Sequence, residues 1–124
     1  MFVFFNPNPD GHLVGDCTVR ALCKILDEDW VTVAIRLSVK FITRYDMPSA
    51  NAIWPLLLKE RGYSRYIIPN TCPECYTVRD FCADHPTGKF LLASGEHVVA
   101  VEDGDYYDTW DSGDDHPIFY WGRE

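Results

Sequence analysis

A chain of 124 residues, 47% hydrophobic and 15% aromatic, has the material for one packed domain and too much apolar side chain for a disordered segment. Its formal net charge of -8 excludes a binder that works by neutralising phosphates, so neither nucleic acid nor an anionic membrane surface is an expected partner. Five cysteines without an export signal predict free thiols in a reducing compartment, by default the cytoplasm.

Met1 to Phe5 is apolar but has no basic lead-in and is stopped by Asn6-Pro7-Asn8-Pro9-Asp10, which predicts a first strand or tucked extended segment rather than a signal or a membrane span. A helix follows from Cys17, with Asp16 as its N-cap and Leu22, Ile25 and Leu26 on one apolar face. Trp30 to about Tyr45 repeats helical spacing through Val33, Ile35, Leu37, Phe41 and Ile42, and Asp46-Met47-Pro48 breaks it. A third helix is expected from Ser49 to Gly62, kinked or delayed by Pro55. The period then changes. Residues 65–68 read as a short strand, 69–73 as loop, and Thr77 to His85 as a short helix closed by Pro86 and Gly88. Four strand signals complete the chain at 90–93, 97–102, 106–110 and 118–121. Helices first and an antiparallel sheet after predict a single α+β domain over 1–124.

Two places in this order carry chemistry. In G-D-C-T-V-R-A-L, residues 15–22, a cysteine stands where a tight polar loop becomes a helix. Helical cysteines are ordinarily core, but a helix N-terminus lowers a thiol's pKa from its free value of roughly 8.5, and the orphan first-turn N–H groups can hold an oxyanion. In G-E-H-V-V-A-V-E-D-G-D-Y-Y-D-T-W-D, residues 95–111, Asp103-Gly104 signals a two-residue type I′ hairpin. That turn pairs Glu102 with Asp105 and Val101 with Tyr106, and places Asp108 diagonally from His97 on one face; Asp111 falls outside the pairing or on the other face. A carboxylate beside a strand histidine orients a base better than it builds a core.

Cysteine at a helix start, histidine on a strand and a polar residue on the next strand, in that chain order, resemble the papain-like cysteine peptidase superfamily, in particular its minimal bacterial and phage members of the bacteriocin-processing and NlpC types. Asp108-Thr109-Trp110 is similar to the Asn-Ser-Trp of papain-type enzymes. The resemblance implies a papain-like fold with the Cys-bearing helix packed on the sheet. It also implies Cys17 as nucleophile, His97 as general acid and base, Asp108 as orienting residue, and Trp110 as a shield over the His–Asp contact. The papain-type oxyanion glutamine falls at Gly11, so the expected donor is a neighbour in the preceding loop, Asn8 ahead of Asn6 or His12; Asp16 lines the site. The whole chain is also similar to small proteins of gut-type Firmicutes and their phages that share the G-D-C-T-V-R-A-L and Y-Y-D-T-W-D-S-G-D blocks. The function implied is a cysteine hydrolase acting on an amide, isopeptide or thioester bond of a peptide or protein substrate, without a cofactor. An acyl-transferase would use the same three residues, and the alternative from another class is a catalytically silent binding module of a phage or mobile element.

Cys72-Pro73-Glu74-Cys75 followed by Cys82 and His85 gives C-x2-C-x6-C-x2-H, the ligand types of a structural Cys3His zinc site. Zinc is the alternative here; the expected reading is no metal and a plain helix end, with His85 against the dipole and Cys82 as core. Asp111, Asp114 and Asp115 lack EF-hand spacing and read as a solvated acidic loop.

Overall fold

Apolar periodicity and turn chemistry decide most of the elements in the computed structural model, which describes residues 1–123. The helices are α1 (Cys17–Leu26), α2 (Trp30–Arg44), α3 (Pro55–Lys59) and α4 (Val78–Asp84); the strands are β1 (Phe2–Phe4), β2 (Ser64–Ile67), β3 (Lys89–Ala93), β4 (Val98–Glu102), β5 (Asp105–Asp108) and β6 (Phe119–Gly122). The α1 helix stops at Asp27 and α2 at Tyr45, both left-handed, with φ of 54° and 55°. Asp29 caps α2 by accepting from the Thr32 N–H, and Thr77 and Asp80 form a reciprocal capping box at α4.

The strands form a mixed six-stranded sheet in the order β1-β5-β4-β3-β6-β2. All pairs are antiparallel except β1 with β5, which run parallel, so the expectation of a purely antiparallel sheet is corrected at this edge. Strand alternation then serves two cores. Leu91, Ala93, Val98 and Ala100 face α1, α2 and α3, whereas Leu92, Val99, Val101 and Tyr106 face α4 with Val78 and Phe81. Both faces are covered, which is why β3 and β4 read as nearly continuous apolar runs.

The third helix is shorter than its pattern. Residues 48–54 form turns, and Pro55 takes the first helical position, where its missing N–H costs nothing. The Asp103-Gly104 hairpin has the expected two-residue turn, with φ of 51° and 81°, and pairs Glu102 with Asp105, Val101 with Tyr106 and Ala100 with Tyr107. A Cβ on Gly104 would find only ordinary contacts, at 3.4 Å from the Cys82 carbonyl oxygen and 3.5 Å from Pro86. The cost of Gly104→Ala is therefore conformational, and we expect a loss of about 1–2 kcal/mol in urea unfolding. Among the described residues no helix is long and apolar enough to cross a membrane.

Candidate active site

The site forms at the end of the sheet where α1 begins. The β4–β5 ladder closes with Ala100 opposite Tyr107, so His97 and Asp108 lie beyond its last pair. There they reach round to the first turn of α1, although the neighbouring Val99, Val101 and Tyr106 pack against α4. The imidazole Nε2 of His97 lies 2.7 Å from Asp108 Oδ2. With Nε2 engaged by the carboxylate, Nδ1 is left for the Cys17 thiol, which is half-buried, lines one cavity with His97 and Val98, and has its pKa lowered by both.

Asp108 is fully buried and accepts four hydrogen bonds: from His97 and the Ser112 hydroxyl on Oδ2, and from Arg20 Nη2 and the Thr109 N–H on Oδ1. All four lone-pair directions are taken, which fixes the carboxylate's plane and hence the imidazole it holds. Arg20 is also buried and bridges the two carboxylates, with Nη1 at 2.6 Å from Asp16 Oδ1 and Nη2 at 2.9 Å from Asp108 Oδ1. Asp16 is thus committed to Arg20 and to the Trp30 indole N–H at 2.8 Å; it holds the expected N-cap position but makes no side-chain cap on α1.

The charges explain the protonation states. Two carboxylates share one guanidinium in this enclosed cluster, and the remaining negative charge favours an imidazolium. Burial alone pushes the His97 pKa down, but hydrogen bonds to Asp108 and Cys17 and their charges overcome it and raise the pKa to about 9. Burial likewise pushes the Cys17 thiol up; the hydrogen bonds from His97 and Val98, with the positive charges of His97 and Arg20, outweigh it and hold the pKa below the ordinary thiol value. For Asp108, desolvation is opposed by His97 and Ser112, and the net direction is down. These shifts favour a thiolate–imidazolium pair. The other free thiols behave in the opposite way: burial raises Cys23 to about 12 and Cys82 to about 11.

Beside Cys17 opens a cavity of about 240 Å³, whose walls include Thr18, Asn51, Trp54, Glu96 and His97. Trp110 packs against His97, with its ring 5.0 Å from the His97 ring and tilted by 41°, and is half exposed. Asn8 is not in the wall; its Oδ1 accepts from the Asp10 and His12 N–H groups and holds the loop before α1 in shape. Asp111 belongs to the loop after β5, where it pairs with Arg79 at 3.0 Å and accepts from the Tyr106 hydroxyl.

The zinc set is not assembled. Cys72 and Cys75 form a disulfide, which also corrects the expectation that all five thiols are free. Cys82 is buried in α4, and the His85 ring stacks on Phe81 at 3.8 Å with Nδ1 at 2.9 Å from the Phe81 carbonyl oxygen. Among the described residues no group of three or more His, Cys, Asp or Glu could hold a metal ion.

Arg20, Ser112 and Asn51 escaped the sequence reading. The Asp16–Arg20 spacing of i,i+4 is a visible signal for a helical ion pair; the arginine's partner across the fold is not visible locally. Comparisons with family models, curated proteins and solved structures found no match.

Proposed function

We propose that the protein is a cysteine hydrolase of papain-like architecture, acting on an amide, isopeptide or thioester bond in a peptide or protein. The observation that carries this reading is the chain of contacts from the half-buried Cys17 thiol at the start of α1, through His97, to the fully buried Asp108. A buried carboxylate with every lone pair occupied is a costly feature for a core and a useful one for a base that must keep one orientation. In the reaction, the Cys17 thiolate attacks the carbonyl carbon, and the π electrons move onto oxygen. Collapse of the tetrahedral species expels the amine, which takes the proton from imidazolium His97. Water then attacks the acyl-enzyme with neutral His97 as base, and the proton returns as the thiolate leaves. Asp108 stays ionised throughout and holds the ring.

The net charge of -8 disfavours nucleic acid and anionic membranes as partners. The test is profiling of the purified protein with an electrophilic amide probe library, wild type beside Cys17→Ala. Acylation of the wild type at Cys17, absent from the variant, is expected; probes that reach Cys17 no faster than Cys23 would assign the protein to the binding modules instead.

A further inference from the structure

The geometry points to Asn51 as the side-chain donor of the oxyanion hole, with its Nδ2 amide stabilising the oxygen of a carbonyl under attack by Cys17. This inference rests on Cys17 as an acyl-accepting nucleophile. Asn51 and Trp54 belong to the turn segment that leads into α3, and both line the cavity that holds Cys17, Thr18 and His97. The Trp54 indole nitrogen lies 3.2 Å from Asn51 Oδ1. An indole N–H can only donate, so its partner on the amide must be the carbonyl oxygen, and the NH2 group is the free end. Trp54 is 1% exposed and packs edge-on to Trp121 with centroids 6.3 Å apart, so the group that orients the amide is itself held in the core.

The complementary donors come from α1. Asp16 spends its carboxylate on Arg20 and Trp30 and does not cap the helix. The first-turn N–H groups at Cys17 and Thr18, residues that share the cavity, are therefore left without a side-chain cap. A backbone N–H beside the nucleophile and one neutral amide in the wall of the same cavity make the donor pair that a tetrahedral oxyanion requires. The loop before α1 offers no equivalent: Asn6 Nδ2 donates to the His12 carbonyl, and Asn8 lies outside the cavity wall.

Two electrophiles separate this role from general support of the site. Acylation by p-nitrophenyl acetate develops an oxyanion; alkylation by iodoacetamide displaces iodide at a saturated carbon and develops none. Asn51→Ala is expected to slow Cys17-dependent p-nitrophenolate release by roughly 10²-fold or more, as loss of one oxyanion donor does, while iodoacetamide alkylation of Cys17 stays within about twofold. Asn51→Asp keeps the acceptor for the Trp54 indole and removes the donor, so it should match the acylation loss with an unchanged thermal midpoint, and it carries the test if Asn51→Ala fails to fold. An equal fall in both reactions, or a fall in neither, would overturn the role. A wild type that alkylates rapidly but is not acylated would overturn it while leaving the activated thiol intact. A wild type inert to both would remove the hydrolase reading and this inference with it.

Discussion

Arg20→Met is expected to cost about 3–5 kcal/mol of unfolding free energy at neutral pH, the usual penalty for breaking a buried ion pair from one side. The substitution keeps most of the aliphatic volume, so the loss is electrostatic: Asp16 and Asp108, with side chains 6% and 0% exposed, would face each other without the guanidinium. The pH dependence distinguishes this cause from poor packing. In the wild type the depressed pKa of Asp108 contributes stability that is present above the unfolded carboxylate value and lost as pH falls through the folded one. Without Arg20 part of that contribution is gone, so wild type and variant should converge on acidification. Urea unfolding at neutral and acidic pH reads both effects; a gap that is constant with pH would refute the electrostatic account. Adding Asp108→Asn to Arg20→Met should cost less than the sum of the two single changes, because the two residues share one network.

His97→Ala is expected to slow iodoacetamide alkylation of Cys17 near pH 7 by about 10- to 100-fold. In the wild type, His97, the Val98 N–H and Arg20 together outweigh the burial of the thiol; without the ring only Val98 and Arg20 oppose burial, and the thiol titrates higher than in the wild type. Wild-type alkylation should therefore hold its plateau on the acid side of an ordinary thiol, whereas the variant should gain rate only in alkaline solution. Cys23 and Cys82, raised to about 12 and about 11, serve as internal references that stay slow in both proteins. Steps that need imidazolium as acid should fail as pH rises through about 9, giving a bell-shaped profile for acyl transfer and a simple rise for alkylation. Asp108→Ala should weaken the reactivity of Cys17 in the same direction, while Asp111→Ala should leave it, because Asp111 is engaged by Arg79 and Tyr106 in the loop after β5.

Local rules made part of this legible. Asp-Gly selects one turn type, and that turn sets the register that brings His97 and Asp108 within reach. The helix-initial position of Cys17 follows from the apolar periodicity behind it. Other features depend on pairings that sequence spacing does not encode. The parallel docking of β1 on β5 joins segments about a hundred positions apart, and the pattern F-V-F fits an edge strand in either direction. Asp16 has good N-cap chemistry, but two buried donors, Arg20 and Trp30, compete for the same carboxylate and win. The apolar pattern around Pro55 extends helical spacing back to Ser49 and so predicts a kink, whereas the preceding turns leave Pro55 at the first helical position, which tolerates it.

The parallel β1–β5 pairing also sets when the surroundings of Cys17 can be completed. Asp108 is the last residue of β5, and its carbonyl oxygen accepts the Phe5 N–H at 2.8 Å immediately beyond the paired residues of β1. During synthesis Cys17 appears early, while His97, Asp108 and the strand that docks against residues 2–4 come off the ribosome much later. Closing so long a loop costs entropy that only the finished sheet repays. Until then Cys17 is an ordinary thiol on a nascent helix, protonated and slow to attack. On the proposed reading, reactivity arrives with the last long-range contacts to form, and a partly made or partly unfolded chain carries no armed cysteine.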